Sequence, residues 1–295
     1  MKLTNRLGLP SSIATAVAND TYSAGDAHIS VTGLLSPARK RALELRHRDE
    51  ITEDVADRIW SLIGQIGHGI LERSDSEALT ERRYFVERYG WRISGQTDRM
   101  LIEQGILQDY KFSSTYTVRN GIKPEWTSQV NLYALLLREN GYYIERGQIV
   151  LIFRDWQRAK AAHSPDYPQQ QCVVLDVEMW SQEQTEAFLR ERLVAHGTAQ
   201  HELPDCTDEE RWKKPDVWKL FKAGNKRATS VHYTEADAHA ALDTAQAKAK
   251  AGDEHIVIPE KGENTRCAYY CPASPFCAQW QALDPTPSIF KPTIG

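Results

Sequence analysis

Cysteine is missing from the first 171 of the 295 residues; the five present are Cys172, Cys206, Cys267, Cys271 and Cys277. Three of them fall within eleven positions near the end. That distribution argues against a disulfide framework and for metal binding. Long apolar runs are missing too. Nothing approaches the roughly 20 apolar residues of a membrane span, and MKLTNRLGLPSSIATAVAND lacks the apolar centre of a signal peptide. The expectation is a cytoplasmic protein with reduced thiols and no membrane partner. An excess of positive charge is absent as well: the formal net charge is −4, so any nucleic-acid surface has to be a local patch. What remains is an ordinary globular composition, 41% hydrophobic and 26% charged, without internal repeats.

Residues 1–50 read as a leader of short helices, in which HISVTGLL (28–35) could be a short strand or turn and PARKRALELRHRDE (37–50) is helical. ITEDVADRIWSLIGQIGHGILE (51–72) reads as one long helix. Thr52 would cap it, and Ile59, Leu62, Ile63 and Ile66 recur at helical spacing. The period then changes. Residues 82–90, 91–100 and 105–112 look like three strands joined by turns at Tyr89-Gly90 and Glu103-Gln104-Gly105. Residues 125–141 predict an amphipathic helix closed by Gly141, 147–156 and 171–180 strands, and 181–199 a helix capped by Ser181. Helix, three strands, helix, two strands, helix is an α/β order around a mixed sheet. After about residue 200 the composition becomes basic, aromatic and finally Cys-rich. The chain therefore divides into a leader (1–50), a core (51–200) and a C-terminal region (201–295).

GILQDYKFSS (105–114) carries the first chemical signal. Residues i and i+2 of a strand share a face, so Asp109 and Lys111 project together. Taken alone, such a pair is an exposed ion pair of little consequence. Asp98, in SGQTD, would lie on the neighbouring strand. Two converging carboxylates suit a hard divalent cation such as Mg²⁺, and a lysine beside them can position water or stabilise charge developing on a phosphate. His68 and Glu72, spaced i, i+4 on the long helix, share a face that can look onto the acids; each is also an ordinary packed or surface residue in most proteins. Gln129 and Tyr133 are likewise i, i+4, on the helix after the third strand, and read equally as surface and core.

His68 and Glu72, then G-x-x-D at 95–98, D-x-K at 109–111 and Q-x-x-x-Y at 129–133 resemble, in order, the motifs of the PD-(D/E)xK nuclease superfamily. The set is most similar to the RecB-like exonucleases, among them phage recombination nucleases and CRISPR adaptation nucleases. The match covers roughly residues 50–155. The resemblance implies a restriction-endonuclease-like core, with a central mixed sheet flanked by helices, followed by a helical, Cys-rich C-terminal region. It implies Asp98 and Asp109 as ligands of Mg²⁺ or Mn²⁺, with His68 and Glu72 as further contacts. Lys111 would be the catalytic lysine, Gln129 and Tyr133 a supporting or DNA-facing pair. The implied reaction is phosphodiester hydrolysis on DNA, in recombination, repair or phage replication, with a partner protein from those processes. A catalytically idle DNA-binding subunit and a metal-stapled assembly factor are the readings of other classes. The presence of Asp98, Asp109 and Lys111 together favours the enzyme.

Cys267, Cys271 and Cys277 form C-x3-C-x5-C, and three thiolates need a fourth ligand to close a metal site. Cys206, in a polar loop, is the candidate; Cys172, beside Val173 and Val174, reads as packed core. The tail is similar to the iron–sulfur staple of one branch of the superfamily, in which three C-terminal cysteines join one upstream of the core. Here no cysteine precedes residue 172, and Pro37 stands about where the early one is expected. Both a structural [4Fe–4S] cluster and Zn²⁺ fit the donors. WKKPDVWKLFKAGNKRA (212–228) sets Lys213, Lys214, Lys219, Lys222, Lys226 and Arg227 among Trp212, Trp218 and Phe221, against one acid, Asp216. That mixture suits a single-stranded DNA track. It equally suits a solvated helix face with its aromatics packed inward. Arg154, Arg158 and Lys160 would extend the basic surface.

Overall fold

The computed structural model describes residues 2–20, 24–74, 78–250 and 252–283. The chain divides into two units, Met1–Pro204 and Asp205–Gly295. Among the described residues no helix is long and apolar enough to cross a membrane.

The first unit runs β1 (Lys2–Thr4), α1 (Ser11–Ala18), β2 (Ile29–Ser30), α2 (Val31–Leu35), α3 (Ala38–Arg46), β3 (Thr52–Asp54) and α4 (Ile59–Glu72). A hairpin and a third strand follow: β4 (Leu79–Arg88), β5 (Trp91–Leu101) and β6 (Ile106–Ser113). Then come α5 (Pro124–Glu139), β7 (Arg146–Phe153), α6 (Arg158–His163), β8 (Cys172–Val177) and α7 (Gln182–Thr198). The central sheet has the order β2-β5-β6-β7-β8, with β4 also on β5. It is mixed: β2–β5 and β6–β7 are parallel, whereas β4–β5, β5–β6 and β7–β8 are antiparallel. This is the mixed α/β arrangement with flanking helices expected from the element order.

Helix α5 explains most of the core. Val130, Leu132, Ala134, Leu136 and Leu137 are fully or almost fully buried and pack with Ile93, Met100, Leu107, Ile149 and Leu151 of the sheet. Helix α7 starts with a capping box: Ser181 Oγ accepts from Gln184 N–H, and Gln184 Oε1 accepts from Ser181 N–H. Helix α4 is different, because it has no fully buried residue. It approaches β6 through Gly67, where a Cβ would stand 2.2 Å from the Phe112 ring.

Three expectations change. The leader is not separate from the core: β2 pairs with Ile93 and Ser94, and Ile29, Val31 and Leu34 belong to the main apolar cluster. Two paired residues are too short a run to show periodicity. The segment 51–72 is not one helix. Thr52 lies in β3, paired in parallel with Lys2, and does not mark the start of a helix. Asp54 takes the capping role instead, accepting from Ala56 N–H, Arg6 N–H and Thr4 Oγ1, and the α-helix begins only at Ile59. The C-terminal region is not purely helical. It contains β9 (Val217–Lys222), β10 (Ser230–His232), α8 (Glu235–Ala247), β11 (His255–Glu260), α9 (Thr265–Tyr269) and α10 (Ala278–Leu283). The strands form an antiparallel sheet in the order β10-β9-β11. Val217, Trp218, Leu220 and Phe221 are β-branched, aromatic or apolar, and the strand preference prevails over the helical reading of 212–228.

Two alanine substitutions on α4 should move stability in opposite directions. Gly64 has open space where a Cβ would stand, so Gly64→Ala should stabilise by about 0.5–1 kcal/mol through helix propensity. Gly67→Ala drives a methyl into the Phe112 ring and should cost about 1–3 kcal/mol. Urea midpoints measure both, and a Gly67→Ala midpoint at or above wild type would mean that α4 does not rest on β6 as described.

Candidate functional site

Strand β5 shares one edge between two partners. On that edge β2 takes Ile93 and Ser94, and β6 takes Arg99 to Leu101. Residues 95–98 lie between them, so the sheet opens at the G-x-x-D motif. Extending the Arg99↔Gln108 register by one pair sets Asp98 across from Asp109. The opened edge is used: Tyr110 N–H donates to Asp98 Oδ2 at 2.6 Å. The two acids therefore meet as the spacing implied, although both lie within their strands rather than at strand ends.

Asp109 is 1% exposed. Neither of its carboxylate oxygens has a hydrogen-bond partner. Lys111 Nζ lies 2.5 Å from Oδ2 as an ion pair, outside hydrogen-bond geometry. The same ammonium donates to Gln129 Oε1 at 3.1 Å, and Gln129 Nε2 donates to Tyr133 Oη at 3.0 Å. Tyr133 in turn lies over Gly95, where a Cβ would come within 2.8 Å of its ring. The glycine of the motif is thus required by the tyrosine on the facing helix. Tyr133 is a core residue, as its spacing suggested, and half-buried Gln129 links its hydroxyl to the lysine instead of facing solvent.

On the other side of Asp98, His68 Nδ1 stands 3.5 Å from Asp98 Oδ1 and 3.1 Å from Glu81 Oε1. Donor atoms of His68, Glu81 and Asp98 lie within 4.8 Å of one another. Glu81 is the residue that the sequence reading missed. The β4–β5 register is constant on both sides of it, Thr80↔Arg99 and Arg82↔Thr97, which sets Glu81 opposite Asp98. Counting back across the Tyr89-Gly90 turn would have found it. Its backbone is left-handed, φ 47°, a conformation that costs a non-glycine residue about 1–3 kcal/mol. Gln96 Nε2 holds its second oxygen at 2.5 Å. Glu72 does not join this group: it is exposed and lines the cleft's rim. The cleft measures about 700 Å³ and is lined by His68, Glu81, Asp98, Lys111, Gln129 and Tyr133 among others.

The electrostatics are those of a site built for a cation. Burial, then the charge of Asp109, pushes the Asp98 carboxyl well above the usual carboxylate range. Burial pulls His68 down, but its hydrogen bond to Glu81 and the charges of Asp98 and Glu81 outweigh this and raise it. Burial raises Glu81, and hydrogen bonds from His68 and Gln96 outweigh that, so it is lowered. Three carboxylates, one of them buried with both oxygens orphaned, and an imidazole fit a divalent ion of the Mg²⁺/Mn²⁺ type.

In the second unit Cys206, Cys267, Cys271 and Cys277 feel one another electrostatically. Burial, with Glu210 and the other three cysteines, pushes Cys206 up to about 12. Arg211 and Gln279 fix its backbone: both donate to Cys206 O, and Cys206 N–H donates to Gln279 Oε1. Cys271 and Cys277 are buried. Cys172 is not core: it is exposed, on the outer face of the edge strand β8, alongside Val174 and Asp176. The basic segment also differs from its sequence reading. Folding supplies acids that are distant in sequence, Glu263 to Lys214, Glu260 to Lys219 and Asp253 to Lys222, and Lys213 pairs with nearby Asp208. Lys226 and Arg227 are exposed without an ion pair among the described residues, and Trp218 is half-buried. Most of the positive charge of 212–228 is thereby compensated. In the first unit Arg154 stacks over Trp60 at 4.0 Å.

Two outcomes follow. Glu81→Gln should weaken Mn²⁺ binding about tenfold or more, and Glu72→Gln should leave it nearly unchanged; calorimetric titration decides, and the reverse order would remove Glu81 from the site. Asp98 and His68 both have folded-state pKa values above their unfolded ones. Their contribution is present at low pH and is lost as pH rises through the folded values. The metal-free protein should therefore lose stability as pH rises from about 4 to about 7, added Mn²⁺ should restore it, and Asp98→Asn should flatten the profile.

Comparison with known proteins returned no curated protein that matches. Among solved structures, the crystal structure of SSO0001 is 16% identical, covers 63% of this chain and 85% of its own, and superposes with a TM-score of 0.45. The PD-(D/E)XK nuclease superfamily matches residues 23–278, a span that takes in the opened sheet edge, the acids, His68 and Lys111 of the cleft, and the cysteines, and the chain belongs to that superfamily.

Proposed function

We propose that the protein is a Mg²⁺- or Mn²⁺-dependent deoxyribonuclease, an exonuclease of the RecB-like kind that serves recombination, repair or phage replication. The observation that carries the catalytic reading is Asp109, a fully buried carboxylate without a hydrogen-bond donor, set across from Asp98 and against Lys111. Asp98, Asp109, Glu81 and His68 would hold the ion. A divalent ion there supplies a water of lowered pKa and neutralises charge on the scissile phosphate. Lys111, held by Gln129, brings a fixed positive charge to the oxygen on which charge develops. Tyr133 keeps Gln129 in place through its hydroxyl. The preference for exonuclease action and for DNA rests on the order of the motifs and their resemblance.

Asp109→Asn and Lys111→Met should each lower hydrolysis of labelled DNA in Mn²⁺ by at least about a hundredfold, while Tyr133→Phe loses less. Linear substrates should be degraded and covalently closed circles spared. Equal activity of wild type and Asp109→Asn would end the proposal, and cutting of circles would end its exonuclease part.

The four C-terminal cysteines are proposed to hold a structural metal centre, [4Fe–4S] or Zn²⁺. Its support is the cost of gathering four thiols around Cys206, which a soft cation removes. Protein purified without oxygen should carry stoichiometric iron with broad visible absorption, or stoichiometric zinc without colour. Cys271→Ser should lose the metal and unfold at lower temperature. Wild-type protein that purifies with neither iron nor zinc and melts no higher than Cys271→Ser would leave the cysteines without this role.

A further inference from the structure

A second cavity of the first unit, about 570 Å³, shares no lining residue with the catalytic cleft. It lies among α3, α7 and the turn between β4 and β5. The face of α3 that lines it carries Ala38, Ala42 and Leu45 along its middle, flanked by Arg41 on one side and Arg46 on the other. Trp91, Gln200, His196, His28 and Gly90 complete the wall, and no carboxylate lines it.

The two guanidinium groups are not neutralised by the fold. Arg41 Nη2 donates to His28 O at 2.8 Å, and Arg46 Nη2 donates to Ala199 O and Gln200 O, both at 3.0 Å. These acceptors are backbone carbonyls. The acid that Arg41 feels, Glu44, is paired with Lys40 at 2.7 Å. His196 is 2% exposed, with Nε2 against Leu34 O. Burial, with Arg192 and Arg41 nearby, pushes it down to about 4, so it forms a neutral wall. Among the described residues the cavity thus combines two unpaired cations, an indole and an apolar strip. A bare inorganic anion would use the cations and leave the apolar strip wet. A planar ring bearing phosphate would use both, and the volume falls within the about 300–1,000 Å³ of small-ligand sites.

We propose that this cavity binds a nucleoside phosphate, with the base between Trp91 and the Ala42–Leu45 strip and the phosphate on Arg41 and Arg46. Gln200 is the side-chain amide available to the base edge. The ligand is either a free nucleotide or the terminal nucleotide of a DNA strand, because both present the same chemistry.

The test is a fluorescence titration of the full chain with methylanthraniloyl-ADP in EDTA, which excludes hydrolysis and makes the result independent of the nuclease reading. Saturable binding is expected, with ADP displacing the probe at concentrations at least about tenfold lower than inorganic phosphate. Arg46→Glu should weaken binding about tenfold or more, whereas Arg48→Glu, the same charge change at an exposed position outside the cavity, should not. Should Arg46→Glu melt early, Trp91→Leu supplies the second variant and should also weaken binding. No saturation up to about millimolar probe, equal displacement by phosphate, or unchanged affinity in the variants would overturn the proposal. Short oligonucleotides with and without a 5′-phosphate identify the source. Displacement by the phosphorylated one alone assigns the site to a DNA end, and displacement by neither assigns it to a free nucleotide.

Discussion

Asp109 constrains everything around it. A carboxylate at 1% exposure with no hydrogen-bond donor is stable only if a cation meets it, since burying an uncompensated charge costs several kcal/mol. Lys111 compensates one charge, but Asp98 faces the same point from the adjoining strand, and Glu81 stands across from Asp98. The group has more negative than positive charge, on the wall of the cleft. A divalent ion resolves that imbalance, and the raised Asp98 carboxyl is how the same imbalance looks without one.

Several features of the fold follow from that need. The sheet parts between β2 and β6 so that Asp98 can accept from Tyr110 N–H. Glu81 holds a left-handed backbone in the middle of a strand, where the hairpin would otherwise continue its ladder. Helix α5 uses one face for the apolar core and one edge for the Tyr133–Gln129–Lys111 chain. Gly95 exists in its motif because the Tyr133 ring occupies the place of a side chain. Stability and site are thus built from the same helix, and changes to α5 should be felt in both.

The sequence disclosed the central sheet well, because its strands are long, apolar and separated by marked turns. It also disclosed the pairing of Asp98 with Asp109 and Lys111, since period-two geometry and one hairpin register decide it. Glu81 was hidden because its partner lies across a strand, whereas Glu72 shares a helix face with His68 at i, i+4. Register counting from Tyr89-Gly90 contained the answer. Thr52 and β2 escaped because two- and three-residue strands carry no periodicity. Cys172 escaped because an edge strand has an exposed face that its apolar neighbours conceal. The basic segment was the least legible: Lys214, Lys219 and Lys222 look unopposed along the chain, yet each meets an acid that a loop of the second unit or β11 delivers from a distance, and Lys213 meets Asp208 from the turn just before it.

The most direct measurement is anomalous diffraction from crystals soaked in Mn²⁺. One strong peak should lie within coordination distance of Asp98 and Asp109, with Glu81 or His68 completing the protein's share of ligands. A peak elsewhere, or none while Asp109 stays buried against Lys111 alone, would contradict the account at its root.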